Sequence, residues 1–534
     1  NAFFADGMHD EVITALAKIH DLTVISRTSV MAYRKSEGRN LKKIAAELGV
    51  ASVLEGSVQR AGSKVKLIVQ LIDARTDKHL WAETYTEDVT DVFAIQAKLA
   101  GAITSALKAT LSPAEKSLLA RRPTQNQEAY DLYLRARAMS ETSDGVASRE
   151  ILDRVVALYE QAIARDPAFT LAHVQLSLTH GLLYWFGYLD PTPARRARAK
   201  DARDAALRLA PDAPETRLAL GYYSYACDND WARALTEFRA AETGLPNDAQ
   251  VTYYIGLSQR RLGRLTETLA SFARAVELNP RGVASPVEQL LTLNALRRYA
   301  ETRDLGTRYL TLFPKNTRLL SYSTAARLEL ERDRAAYFRS REAIPLASND
   351  PQGIVRLYSL ARARGDLVAA ERALADPRLA FVPGFENIAN EPVALHRATV
   401  AFLRGQRDAA RAFAEEATAD YRARQWTLRQ EPSVILGTAL AHALAGRADE
   451  AVRLAREGFG LQSSRDVFAS FLQRPYLAQV YLVLDRRDEA FAVLREMTTE
   501  PCSIGPEQVR LDPFSSRLKD APRFQENLKS ARPL

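Results

Sequence analysis

Apolar residues recur at helical spacing through most of this chain, and they come in pairs of runs. Between Asn247 and Pro280 one run carries Tyr254, Leu257 and Leu262, breaks at Gly263-Arg264, and is followed by a second with Leu269, Phe272, Ala273, Ala275, Val276 and Leu278. This spacing predicts two amphipathic helices joined by a tight turn, with Gly256 small where another helix must come close. Such a hairpin cannot bury both apolar faces alone, so similar hairpins should flank it, each touching only its neighbours. Pro246, Pro280 and Pro314 mark a step of about 34 residues.

Helical pairs close at Pro167, Pro211, Pro246, Pro280 and Pro314, and less cleanly near Pro351. Beyond Pro351 the step loosens while the turn between helices survives, at Arg364-Gly365-Asp366, Arg404-Gly405-Gln406, Ala445-Gly446-Arg447 and Asp485-Arg486-Arg487. About ten pairs result, with a break between Asp376 and Asn390 where Phe381-Val382-Pro383-Gly384-Phe385 reads as a loop. Hairpins on this period are the tetratricopeptide pattern, and they predict an α-solenoid whose inner face is lined by the first helix of each pair. By register Tyr222, Tyr225, Gln250, Tyr253, Arg260 and Asn294 should face that groove, where an extended protein or peptide partner would lie. The competing reading is that each merely bridges adjacent repeats. An insertion at Leu182 to Pro193 gathers Tyr184, Trp185, Phe186 and Tyr188, which reads better as a helix end packed on its neighbour than as a recognition loop.

The opening segment has a different rhythm, with strand-period and helix-period runs alternating. It predicts a helix from Asp10 to His20 with Asp10 and Glu11 in its first turn, a strand at Leu22 to Ser26, and a helix from Asn40 to Leu48 stopped by Gly49. A hairpin follows, Val53 to Arg60 and Val65 to Asp73 about a turn at Ala61-Gly62-Ser63, then a strand from His79 to Tyr85 and a helix from Val92 to Leu107 with Phe93 inward. The fold expected is mainly α: a small α/β domain over 1–110 with three helices on a mixed sheet, a connecting helix and linker over 111–128, regular repeats over 129–351, and degenerate repeats with a cap over 352–534. Ser112-Pro113-Ala114-Glu115 reads as a capping box opening the connector.

Phe4-Ala5-Asp6-Gly7 before a helix, Val24-Ile25-Ser26-Arg27-Thr28-Ser29, Leu48-Gly49-Val50, Val53-Leu54-Glu55-Gly56-Ser57-Val58, Gln70-Leu71-Ile72-Asp73-Ala74 and His79-Leu80-Trp81-Ala82-Glu83 together resemble the TolB-like amino-terminal domain. The joint at Arg122-Pro123-Thr124 and Glu128 to Leu134, and the tail at Leu511-Asp512-Pro513-Phe514, resemble the same proteins. In bacteria such a domain stands between a tetratricopeptide array and an effector: a class III adenylate or guanylate cyclase, a winged-helix regulator, or a serine/threonine kinase. The resemblance implies the sensory or interaction half of a signalling protein. It also implies a strand ending in Pro-Phe ahead of residue 1, which this chain begins too late to contain.

Composition changes the picture little. The net charge of +8 in 534 residues raises the nucleic-acid question. Its densest run, Arg195, Arg196, Arg198, Lys200, Arg203 and Arg208, is broken by Asp201 and Asp204 and lacks interleaved aromatics, so a solvated helix face is the better reading. No apolar run reaches the length of a membrane span. Cys227 and Cys502 have no metal-like spacing, and His173 and His180 share a helix face without a third ligand. No phosphate loop, nucleophile elbow or zinc signature occurs, so no catalytic, cofactor or metal residue is expected. The functional reading is a non-catalytic interaction module. Its alternatives are a scaffold subunit of a larger enzyme assembly and the regulatory part of a cyclase; self-association stays open, as does the compartment, with a lean to the cytoplasm over the periplasm.

Overall fold

The computed structural model describes residues 2–33, 40–61, 64–88, 92–141, 148–187, 189–344, 351–383, 390–424, 426–427 and 429–534. The chain divides into two compact units, one of 1–185, 189–259 and 266–285, the other of 186–188, 260–265 and 286–534.

In the first unit, β1 (Ser52–Ala61), β2 (Lys64–Asp73) and β3 (Lys78–Asp88) form a meander in the order β1-β2-β3. Both pairings are antiparallel, so the expected mixed sheet is corrected. The reason is local: Asp73 accepts the amides of Arg75 and Thr76, and Asp77 takes φ 60, a turn too tight for a parallel crossover. The predicted turn at Gly62-Ser63 lies outside the described residues. Val65, Leu67 and Val69 alternate onto one face and pack with Leu16, Leu99 and Ile103 from the helices Ala2–Ala17 and Val92–Ala106 and with Ile19 just beyond the first of them. Phe93 has its side chain outside the described set.

Two further expectations are corrected. The first helix starts at Ala2, so the Phe-Ala-Asp-Gly motif lies within it, and Asp10 sits in its middle rather than its first turn. Asp10 instead lies 3.4 Å from Arg137 and 4.0 Å from Arg27. Leu22 to Ser26 has no strand partner among the described residues. It runs as coil, and the Ser26 amide donates to the Leu278 carbonyl at 2.8 Å. The Leu41–Leu48 helix does form between its expected stops: the Asn40 side chain accepts from Lys43 N, and Gly49 takes φ 68. The capping box at Ser112 and Glu115 also forms, and Glu115 takes the His20 amide as well.

Ten helical pairs follow among the described residues, beginning with Gln127–Glu141 and Arg149–Arg165 and ending with Val467–Val483 and Arg487–Thr499. The turn inside the pair repeats one backbone feature, a residue at positive φ that ends the first helix. It falls at Asn229, Gly263, Arg297, Arg332 and Gly365, then at Gly405, Gly446 and Asp485. Within the pair Ala249–Arg261 and Leu265–Leu278 the expected close approach is real, since a Cβ on Gly256 would come within 2.8 Å of the Phe272 ring.

The α/β segment rests on the corners between successive pairs of its own unit. Lys18 pairs with Glu215 at 3.0 Å, and Asn247 Nδ2 donates to the Ile19 carbonyl at 2.9 Å. The hydroxyls of Ser26 and Ser29 both donate to Asn279 Oδ1 at 2.7 Å, and Arg281 donates to the Tyr33 hydroxyl at 2.8 Å.

The second unit departs from a chain of nearest neighbours. Arg261 and Asp466 form a buried ion pair at 2.9 Å, and Phe468 and Leu472 pack on Leu291 and Ala295. The Arg297 guanidinium donates to the carbonyls of Arg532, Glu500 and Met497, while the amides of Cys502 and Leu534 donate to Ala295 and Leu296. The last pair and the tail therefore close onto helices some 200 residues earlier, which corrects the neighbours-only expectation. Between Leu367–Leu374 and Val393–Leu403 the predicted loop holds a two-residue ladder, Val382–Pro383 against Asn390–Glu391. Gly384 and Phe385 lie outside the described residues.

Candidate functional site

Of the six residues expected to line the groove, the structure leaves two within a partner's reach. Gln250 is exposed, and Tyr253 is half-buried with its ring 5.9 Å from that of Phe272. Tyr222 and Tyr225 are buried in a ring cluster of the first unit: Tyr222 lies 4.9 Å from Tyr254, and Tyr225 lies 4.8 Å from Trp185 and 5.0 Å from Trp231. Burial, reinforced by Tyr254, pushes the Tyr222 hydroxyl well above its usual range. The same cluster accounts for Trp185 as a helix end packed on its neighbour; Tyr188 lies outside the described residues.

In the second unit Arg260 is 1% exposed, 2.7 Å from Glu288 and 4.4 Å from the Phe468 ring centre. Asn294 is buried and donates to the Tyr322 carbonyl at 3.1 Å. The assignment of Tyr222, Tyr225, Arg260 and Asn294 to an open groove is thus corrected. Helical register places a residue on a face. It does not say whether another helix, here one returning from Val467–Val483 onto Arg260, covers that face.

The basic run on Pro193–Leu209 spends much of its charge within the first unit. Arg195 is buried against Asp190 at 2.7 Å, Asp153 at 3.0 Å and His180 Nδ1 at 3.1 Å. Burial, with Arg195 beside it, lowers His180 to about 4, so the ring stays neutral. Arg196 pairs with Asp228, Lys200 with Asp204, and Arg203 lies over the Tyr223 ring at 4.2 Å. His173 Nε2 meets the Pro167 carbonyl at 3.0 Å, and no cluster of His, Cys, Asp or Glu suited to a metal occurs among the described residues. Both cysteines are buried, and burial raises Cys227 to about 12.

The second unit also holds a cavity of about 360 Å³ that no sequence pattern announced. Its polar wall comes from Tyr358 and Arg362 on Pro351–Arg364, Glu391 on the short ladder, His396 on Val393–Leu403, Tyr476 on Val467–Val483, and Asp512 in the tail. Glu391 Oε2 lies 2.9 Å from His396 Nε2, while the Tyr476 hydroxyl donates to Glu391 Oε1. The Tyr358 hydroxyl is 3.2 Å from His396 Nδ1. Burial and the Glu391 charge push the Tyr476 hydroxyl well above its usual range. Leu472, Leu494 and Met497 supply apolar wall, and Pro475 interrupts the amide ladder of its helix beside the cavity. These groups are spread over more than a hundred residues, so local spacing is silent about them; the one sequence signal was the tail motif that contains Asp512.

No family model matches the chain. A stretch of 241 residues, 44% of the chain, is 34% identical to "Putative adenylate cyclase 3" of Rhizobium meliloti (strain 1021). The match takes in 38% of that protein's length. Among solved structures the chain is similar to the Cut9–Hcn1 hetero-tetramer of the APC/C (TM-score 0.34, 14% identity, 82% of this chain and 84% of that one). It is similar also to yeast Tom70 (TM-score 0.33, 15% identity, 82% and 99%) and to YrrB, a TPR protein with an unusual peptide-binding site (TM-score 0.22, 17% identity, 43% and 98%). At such TM-scores these likenesses carry nothing further, and the repeat fold stands on the helical pairs themselves.

Proposed function

We propose that this chain is the non-catalytic interaction half of a bacterial signalling protein, and that it takes a protein or peptide partner on the face carried by the first helices of its pairs. The observation that carries this is the run of ten helical pairs among the described residues, eight of them sharing one turn geometry, an architecture whose use is to present helix faces to extended ligands. Gln250 and Tyr253 are the residues of that face that a partner reaches first. Selecting from a displayed peptide library on the full chain tests it. The expected result is a set of peptides whose affinity falls about tenfold or more when Gln250→Ala and Tyr253→Ala are combined. A library that yields no saturable binder overturns the proposal.

A second reading, that the chain regulates a nucleotide cyclase, is favoured by its identity to the Rhizobium meliloti protein over 241 residues. The whole product of the native gene would then convert ATP or GTP to a cyclic nucleotide at a rate that shifts when the selected peptide is added. A product that makes no cyclic nucleotide rejects that reading and leaves the first in place.

A further inference from the structure

The cavity of the second unit has a charge arrangement that its own residues leave incomplete. Arg362 lies in the wall with the Tyr358 ring 5.9 Å away, and no carboxylate forms an ion pair with it among the described residues. A guanidinium taken partly out of water without an anion is costly. The nearby carboxylates do not supply that anion. Glu391 spends one oxygen on His396 and the other on Tyr476. Asp512 directs Oδ2 to the amide and hydroxyl of Ser515, at 3.0 and 3.1 Å, leaving Oδ1 without a hydrogen bond among the described residues. Asp512 is within electrostatic reach of Arg362, yet neither a hydrogen bond nor an ion pair joins the two among the described residues.

Arg362, bonded to the Tyr358 hydroxyl and to no carboxylate, and Asp512, its Oδ1 without a hydrogen bond among the described residues, thus line the same small space, with Leu472, Leu494 and Met497 alongside. Inorganic phosphate would satisfy Arg362 but meet Asp512 and Glu391 as like charges. A simple amine would do the reverse. We propose that this cavity binds a small zwitterion of the amino-acid class, with its carboxylate on Arg362, its ammonium on Asp512 Oδ1, and an apolar side chain against the leucines and methionine. The ligand of this cavity would be a signal that the chain senses.

Isothermal titration of the full chain against the twenty amino acids one by one tests this, with the N-acetyl and amide derivatives of every amino acid that binds. The expected result is saturable binding of at least one amino acid with an apolar side chain, weakened about tenfold or more in each derivative, because each removes one charge-assisted contact. Arg362→Gln and Asp512→Asn should each weaken binding by a similar factor, Asn keeping the cap on Ser515. Ala478→Trp fills the cavity and should abolish binding while circular dichroism keeps its helical signal. Absence of binding for all twenty amino acids at 10-millimolar concentration, on the order of a few kcal/mol of affinity, overturns the proposal. So does a derivative that binds as well as its parent, or an Arg362→Gln chain that binds unchanged.

Discussion

The pairs up to Gly365 and those after it solve the same packing problem on different steps. The positive-φ turn advances by about 34 residues from Asn229 to Gly365 and by about 40 from Gly405 to Asp485. Part of the extra length goes into second helices, 14 residues in Trp231–Gly244 and Leu265–Leu278 but 17 in Arg407–Ala423 and 18 in Ala448–Arg465. In the shorter-step pairs Tyr222, Tyr225, Tyr253 and Tyr254 fill the space around the first helices with rings. In the longer-step region small residues such as Ala410, Ala414, Ala439, Ala451 and Ala455 build the core, and the chain returns on itself around a cavity. The longer-step pairs thus approach one another over alanines, while polar groups of the same unit gather in the cavity.

The sharpest way to break the second arrangement is at Asp466, which both pairs with buried Arg261 and caps the helix Val467–Val483 through the Ala469 amide. Asp466→Ala should lower stability by about 3–5 kcal/mol in denaturant titrations, since it removes both a buried ion pair and a helix cap. The shorter-step region is tested at Gly256, whose added Cβ would press on Phe272. Gly256→Ala should cost about 1–3 kcal/mol by thermal or chemical melting.

A pH scan separates the regions further. Glu329 is half-buried where the tail meets Thr317–Glu331, accepting the amides of Glu507 and Gln508 at 3.0 Å. Its facing groups are the Glu507 carboxylate, the Tyr299 hydroxyl and Arg332. Burial raises it to about 7, opposed by the two amides, from the model-peptide value of 4.5. An acid raised on folding contributes stability fully present below 4.5 and lost as pH climbs through about 7. Glu329→Gln, which removes the titrating carboxyl and keeps a carbonyl oxygen for one of the two amides, should therefore flatten the profile over that window. An unchanged profile would remove Glu329 from the account.

The smallest effect is expected at the turns. Gly365→Asn should cost less than about 1 kcal/mol, because Asn229 already takes the same left-handed conformation and a Cβ at Gly365 meets open space.

Residues whose role is local were legible in the sequence. Asn40, Gly49, Ser112, Glu115, Gly256 and the turn glycines act through neighbours a few positions away or through the facing helix of the same pair, and spacing reveals that. Antiparallel closure of the sheet was hidden because it depends on Asp73 and Asp77 tightening one turn. The burial of Arg260 and Asn294 was hidden for a different reason: Phe468 and Tyr322 reach them from other helices, and periodicity within a helix carries no information about which helix returns. For the cavity the same limit applies from Tyr358 to Tyr476, Asp512 alone falling in a sequence motif, that of the tail.

Hydrogen exchange on the full chain, with and without a peptide selected for binding, tests the central claim that the first-helix face receives a partner. The account predicts added protection centred on Ala249–Arg261, lost when Gln250→Ala and Tyr253→Ala are combined. Protection confined to β1–β3, or none in any first helix, would contradict it.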